Sequence, residues 1–135
     1  MKKKEKSNFH SDLKSQIIFN KDVRSNFLLN KKIGIIGYGN QGRAQALNLK
    51  DSGYEVKIGL RDSSKSIKEC QNDELDFVDI FDLVSSSDII CLLVPDAEMS
   101  NVYNSYIENN LRSGQTLLFS HGYAIHYNVI NPPDY

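Results

Sequence analysis

Residues 33–46 constrain the fold of this chain most strongly, because an apolar run, three glycines and a helix-like pattern follow one another there. The run Ile33–Ile36 is typical of a central parallel strand that is buried on both faces. Gly37, Gly39 and Gly42 then follow with G-x-G-x-x-G spacing. In that spacing the first glycine permits a sharp turn, the second leaves room for a pyrophosphate, and the third lets the helix pack closely on the strand. The stretch predicts a dinucleotide-binding turn, and the alternative is a glycine-rich turn with a purely structural role.

Strand and helix patterns alternate along the rest of the chain. Strands are predicted at 33–36, 55–60, 88–94 and 115–119, with weaker ones at 16–19 and 75–78; helices are predicted at 40–51, 64–72, 79–84 and 96–110, the last capped by Asp96. This alternation predicts a Rossmann-like α/β fold, a doubly wound parallel sheet in a three-layer arrangement. Ligands of such sheets bind at the carboxyl ends of the strands. That edge would carry residues 37–42, 61–66, 95–96 and 121–122.

The end of the second strand indicates which dinucleotide is bound. A site for NAD usually has an acidic residue there, which accepts a hydrogen bond from the ribose 2′-hydroxyl. This chain has Arg61 instead, whose planar fork of donors suits a 2′-phosphate, and Ser64 and Ser66 add hydroxyls and a helix start. The loop therefore favours NADP over NAD, the alternative being an ordinary solvated loop.

Composition excludes several other classes of function. Sixteen Lys and Arg face 17 Asp and Glu, so a formal net charge of -1 gives no general attraction for nucleic acid or an anionic membrane. No apolar run approaches the roughly 18 residues of a membrane span. Cys70 and Cys91 have neither metal-ligand nor disulfide-scaffold spacing, so reduced, partly buried thiols are expected. We expect a cytoplasmic protein with a flexible basic tail at 1–15, for which an interaction arm or targeting sequence is the alternative, and one domain at 16–135.

His121 is the candidate catalytic residue. It follows the last predicted strand and precedes Gly122, at the edge where a nicotinamide ring is expected, and a histidine side chain can serve as acid or base near neutral pH. The alternative is a structural histidine. No carboxylate cluster has metal-ligand spacing, so no metal ligand is assigned within the chain.

Taken together, residues 16–135 resemble the ketol-acid reductoisomerases of branched-chain amino-acid (isoleucine and valine) biosynthesis. The resemblance rests on the G-Y-G-N-Q-G turn with the following A-Q-A-L-N-L, the G-L-R and S-K-S segments, V-P-D, and H-G-Y with I-H. It implies cofactor contacts at Tyr38, Gly39, Asn40 and Gln41, 2′-phosphate contacts at Arg61, Ser64 and Ser66, a nicotinamide-side segment formed by Asp96, Ala97, Glu98 and Met99, and an active-site histidine at His121.

The resemblance also implies a reaction. The family converts 2-acetolactate, a small 2-keto-hydroxy acid, or 2-aceto-2-hydroxybutyrate into the 2,3-dihydroxy acid, by a magnesium-dependent alkyl shift followed by hydride transfer from NADPH. This chain departs from the family pattern at Asn40, Arg43, Met99 and Ser120, where Ser, His, Gln and Ala are usual. Of these, Arg43 is expected to place an additional charge beside the phosphate turn, and Met99 cannot donate hydrogen bonds as a Gln amide does.

In the family a helical C-terminal domain carries the carboxylates that bind magnesium, and residues 1–135 do not include it. The first hypothesis is therefore the NADP-binding domain of such an enzyme, truncated before the C-terminal domain and not catalytic alone, with a homo-oligomer or a complementing chain as the expected partner. The alternative is a free-standing NADP-binding or regulatory module without catalysis.

Overall fold

A five-stranded parallel sheet is the centre of the computed structural model, which describes residues 25–133. Its strands are β1 (Ile33–Ile36), β2 (Val56–Gly59), β3 (Phe77–Val78), β4 (Ile89–Leu92) and β5 (Thr116–Phe119). They lie in the order β3-β2-β1-β4-β5, and every neighbouring pair is parallel. The chain order therefore reverses between β1 and β4, which creates the switch point where doubly wound sheets bind ligands. The predicted Rossmann-like α/β fold is confirmed.

Helices cover both faces of this sheet. They are α1 (Asn40–Asp51), α2 (Ile67–Asn72), α3 (Ile80–Ser86), α4 (Asp96–Val102) and the short α5 (Tyr123–His126). The chain of α4 continues as a π-helical turn at Tyr103–Ile107 and a 3₁₀ turn at Glu108–Asn110, and another 3₁₀ turn at Ser25–Leu28 precedes β1. Side chains of α1 and α2 belong to one apolar core, and those of α3 and α4 to the other.

The central strand connects the two cores by alternating its side chains. Ile33 and Ile35 join the core beneath α1, and Ile36 joins the core beneath α3. Gly34 faces α3 with no side chain, and a Cβ there would lie 2.8 Å from Leu83. The glycine therefore lets α3 approach the strand closely.

Most predicted elements are found close to their predicted bounds. Helix α1 has the predicted bounds of 40–51, and Asp79 caps α3 by accepting a 2.8 Å hydrogen bond from the Phe81 N–H. Helix α2 begins at Ile67 rather than 64, because residues 61–66 form a turn in which the Ser64 N–H donates to the Arg61 carbonyl at 2.8 Å. The loop after β2 is therefore longer than predicted.

Three other predictions concern individual residues or segments. Cys70 and Cys91 are buried and unbridged, as predicted, and burial raises the pKa of each thiol to about 11. The predicted tail at 1–15 and strand at 16–19 lie outside the described residues. Between residues 25 and 133, no helix is both long and apolar enough to cross a membrane.

Candidate functional site

The three glycines of the turn between β1 and α1 have different surroundings. Gly37 has a φ of +98°, and a Cβ there would lie 2.7 Å from the Leu93 carbonyl oxygen. A Cβ on Gly42 would collide with the Gly37 carbonyl oxygen, so this glycine allows α1 to pack against the turn. Around Gly39, by contrast, a Cβ would meet no atom of the described protein within 4 Å. Gly37 and Gly42 are thus required by the fold, whereas Gly39 faces open space.

That open space lies at the start of α1. The first hydrogen bond of the helix is donated by the Arg43 N–H to the Gly39 carbonyl at 2.9 Å, so the N–H groups of Asn40, Gln41 and Gly42 precede the helical ladder. Gly39 itself provides no side-chain cap. Backbone donors and the positive end of a twelve-residue helix dipole therefore meet at a position without a side chain, which suits a phosphate.

A first cavity of about 260 Å³ extends from Gly39 toward the end of β2. Its polar wall consists of Arg61, Ser64, Ser66 and Glu98, and its apolar wall includes Ile36, Ile80, Leu93, Val94 and Val102. Among residues 25–133, no carboxylate forms an ion pair with the Arg61 guanidinium. Ser66 precedes α2 without making a side-chain capping bond. This cavity offers a cation and two hydroxyls beside an apolar slot.

A second cavity of about 340 Å³ lies on the other side of Gly39, toward the end of β5. The two cavities share Gly39, Leu93, Val94 and Pro95, so they form one continuous cleft across the switch point. The remaining lining residues are Asn40, Gln41, Leu92, Asp96, Met99, Ser120 and His121. An elongated ligand that crosses Gly39 would therefore reach both ends of the cleft.

His121 and Asp96 face each other at the wall of the second cavity. The His121 Nε2 lies 3.0 Å from an Asp96 carboxylate oxygen, and its Nδ1 accepts a 3.4 Å hydrogen bond from the Tyr123 N–H. A neutral imidazole with its proton on Nε2 satisfies both contacts. The prediction that Asp96 caps α4 is wrong, because Pro95 is the cap residue and the carboxylate contacts His121 instead.

A second contact also starts from the end of β5, but it reaches α1 rather than α4, and sequence reasoning missed it. The Ser120 hydroxyl donates to the Gln41 side-chain oxygen at 2.6 Å, which connects the end of β5 to the first turn of α1. The two residues are 79 positions apart in the chain, so no local pattern could have indicated the bond.

Most of the predicted site residues line the cleft, but the predicted segment 96–99 is split between its two cavities. Glu98 lines the first cavity, whereas Asp96 and Met99 line the second. Ala97 and Gly42 line neither of them. Met99 is 3% exposed and packs in the core beneath α4, so its thioether forms part of the apolar wall. Residues 96–99 therefore do not line a single cavity.

The charge of Arg43, which was expected beside the phosphate turn, is paired with a carboxylate of the protein itself. Its Nε and Nη2 donate to the two carboxylate oxygens of Asp73 at 2.6 and 2.9 Å. The Tyr38 hydroxyl donates to the same carboxylate at 2.8 Å. The bonds from Arg43 and then Tyr38 lower the pKa of Asp73 to about 2, and burial together with the Asp73 contact raises the pKa of Tyr38.

This carboxylate predicts how stability responds to acid. The pKa of Asp73 is below its ordinary value of 3.8 in the folded chain, so its contribution is present above about pH 4 and is lost as the pH falls toward 2. We expect Asp73→Asn to flatten the decline of unfolding free energy between pH 4 and 2, measured by urea denaturation. Asp82→Asn, which alters an exposed carboxylate on α3, serves as the control and should keep the wild-type slope.

Comparison with known protein families also identifies this region of the chain as a nucleotide-binding domain. A family model described as "Acetohydroxy acid isomeroreductase, NADPH-binding domain" matches residues 27–135. The chain belongs to this family. In this acetohydroxy acid isomeroreductase domain, the matched region includes the glycine turn and every residue that lines the two cavities.

Full-length relatives carry the family's other name. The chain is 40% identical over 121 residues to "Ketol-acid reductoisomerase (NADP(+))" of Clostridioides difficile strain 630. The aligned segment covers 90% of this chain and 37% of that protein. It is 44% identical over 119 residues to the protein of the same name from Methanosphaera stadtmanae, covering 88% and 36%. The chain therefore spans just over a third of the length of these relatives.

A solved structure of the same family has a closely similar fold. A NADH-preferring ketol-acid reductoisomerase from an uncultured archean superposes with a TM-score of 0.82 and 35% identity, covering 87% of this chain and 37% of that one. Relatives named for NADP(+) and a neighbour named for NADH therefore both resemble this chain. The choice of cofactor must be argued from its own residues.

Proposed function

We propose that the cleft binds NADPH across the switch point, with the pyrophosphate at Gly39 and the start of α1. The adenosine 2′-phosphate then lies in the first cavity and the nicotinamide in the second. The observation that carries this proposal is the open space at Gly39, because it joins the two cavities beside unpaired helix N–H groups. The turn contacts in this assignment are those of Gly37, Tyr38, Gly39, Asn40 and Gln41.

Preference for NADPH over NADH rests on the first cavity. Arg61 there is exposed and has no carboxylate partner among the described residues, so its guanidinium can bind a phosphate by two parallel hydrogen bonds. Ser64 and Ser66 are half-buried on the same wall and add hydroxyl donors. A ribose without the 2′-phosphate offers no anion to the Arg61 guanidinium, so the loop favours the phosphorylated cofactor.

The nicotinamide end of the proposal involves His121. The bound cofactor supplies a hydride. Asp96 holds the Nε2 proton of His121, and the Tyr123 N–H fixes Nδ1, so the imidazole is oriented at the cavity wall before any ligand enters. We assign His121 to contact the reacting end of the cofactor and the substrate, and Asp96 to orient it.

The reaction we propose for the whole enzyme is the one its relatives' names describe, reduction and isomerisation of a ketol acid such as 2-acetolactate. The magnesium that this reaction implies does not fit the described residues, since no group of three His, Cys, Asp or Glu in 25–133 could hold a metal ion. No step is therefore derived through a metal. The contribution of this chain is to bind and orient NADPH.

The proposal predicts binding without turnover by the 135-residue chain. NADPH should raise the unfolding free energy by about 2.7 kcal/mol at one hundred times its Kd, by mass action alone. Incubation with 2-acetolactate and magnesium should leave the NADPH absorbance unchanged. Steady consumption of NADPH would contradict the assignment of this chain to cofactor binding alone, and absence of any stabilisation would contradict the cofactor site itself.

A further inference from the structure

Asp73 lines neither cavity of the cleft, yet its carboxylate contacts both the glycine turn and α1. Its carboxylate is only 13% exposed and accepts the three hydrogen bonds from Tyr38 and Arg43 described above. Three bonds on one carboxylate, two of them from one guanidinium, hold its position more firmly than a surface ion pair does. Asp73 thereby joins two segments of the proposed site, the glycine turn through Tyr38 and the loop at 61–66 through its own helix α2.

The first of these segments is the glycine turn. Tyr38 stands between Gly37 and Gly39, and its ring is 2% exposed in the core beneath α1. The ring is thus packed on its apolar side and hydrogen-bonded at its hydroxyl. Because the side chain is fixed at both ends, the backbone on which the pyrophosphate would rest has little freedom to move.

The second segment is the loop that carries Arg61, Ser64 and Ser66. Helix α2 follows this loop directly, with Ser66 as its first cap and Asp73 as its last. Six helical residues form a stiff rod of about 9 Å. Fixing Asp73 therefore also sets the position of the opposite end of α2, where the 2′-phosphate would bind.

Helix α1 holds this end of α2 at two points. Besides the pairing of Arg43 with Asp73, the Lys50 ammonium donates at 2.9 Å to the carbonyl oxygens of both Asp73 and Glu74. Glu74 follows the cap residue Asp73 and has a φ of +53°, so Lys50 binds the two carbonyls at which the chain leaves α2. The start of α2 and the start of α1 are thereby kept at one separation.

We propose that Asp73 is a positioning residue for the dinucleotide, which sets the distance between the glycine turn and the 2′-phosphate loop. This inference rests on the proposed NADPH site. A ligand that binds both anchors gains affinity only when their spacing matches its own, whereas a ligand that binds one anchor is indifferent to the spacing. Loss of Asp73 should therefore weaken NADPH and leave a one-anchor ligand unchanged.

The test compares two probes on the 135-residue chain well below its unfolding temperature. NADPH spans both anchors, and adenosine 2′-monophosphate reaches only the loop. Asp73→Asn should raise the Kd for NADPH about tenfold and alter that for adenosine 2′-monophosphate less than twofold, measured by NMR titration. Tyr38→Phe removes only the hydroxyl and should give the same selective loss, about threefold. It keeps the inference testable where Asp73→Asn folds poorly.

Glu69→Gln provides the matched control. Glu69 also lies on α2 and is 3.5 Å from the same Arg43 nitrogen, but its side chain is 51% exposed, so its removal should change neither Kd. Unchanged NADPH affinity in Asp73→Asn and Tyr38→Phe, with wild-type binding intact, would overturn the inference and leave the proposed function standing. An equal rise in the Kd for NADPH and for adenosine 2′-monophosphate would also overturn it, because it would indicate damage to the loop that both probes bind. Failure of the wild-type chain to bind NADPH would overturn both.

Discussion

Gly39→Ala is expected to lower NADPH affinity about 100-fold while changing the unfolding free energy by no more than about 1 kcal/mol. The added methyl group would meet no protein atom within 4 Å, and the φ of −84° at this position is accessible to alanine. The same methyl group would occupy the space in which a pyrophosphate must approach the backbone. Calorimetric titration with NADPH and urea denaturation measure the two effects separately.

Gly42→Ala is the matched comparison for that result. Its Cβ would collide with the Gly37 carbonyl oxygen, so this variant should lose about 3 kcal/mol of unfolding free energy. Two alanine substitutions three residues apart would then act on different properties, one on binding and the other on stability. Wild-type NADPH affinity in Gly39→Ala would show that the pyrophosphate does not lie at this turn.

The second large effect is expected for Arg61→Gln, which should raise the Kd for NADPH about 30-fold and that for NADH less than threefold. The estimate follows from about 2 kcal/mol for charge-assisted hydrogen bonds to a phosphate. The discrimination between the cofactors should therefore largely disappear. Competition titrations with the two reduced cofactors would measure both constants.

Lys65→Gln is the control for this prediction, since it removes the same charge from the same loop. Lys65 is exposed and does not line the first cavity, so its removal should change the two constants equally and by a small factor. If Arg61→Gln instead weakened the binding of NADPH and NADH by the same factor, Arg61 would contact a group that both cofactors share.

Much of the fold could be predicted because its signals are local. The apolar run of β1, the glycine spacing and the apolar stripe of α1 lie within 19 consecutive residues, and the structure reproduces them with the predicted bounds. The loop at 61–66 was harder, because its turn depends on one bond between Ser64 and Arg61 rather than on periodicity. Helix α2 was for that reason predicted to begin too early.

The cleft was predictable in outline and not in its contacts. Parallel strands bring their carboxyl ends to one edge, so the proximity of residues 37–42, 61–66 and 121 follows from the order of elements. The partners of Arg43 and Gln41 lie 30 and 79 residues away, and nothing in their own segments identifies them. Arg43 was expected beside a phosphate, and its true partner is Asp73, which sequence reasoning left unassigned.

The central claim is that one NADPH molecule crosses the switch point at Gly39. An NMR titration of the 135-residue chain with NADPH tests it directly, because each backbone amide reports on its own position. We predict saturable changes at Gly39, Asn40, Gln41 and Arg61, with a further change at His121. Changes confined to the apolar pocket that Leu28 and Leu118 line, which shares no residue with the cleft, would contradict the claim. The absence of any saturable change would contradict it as well.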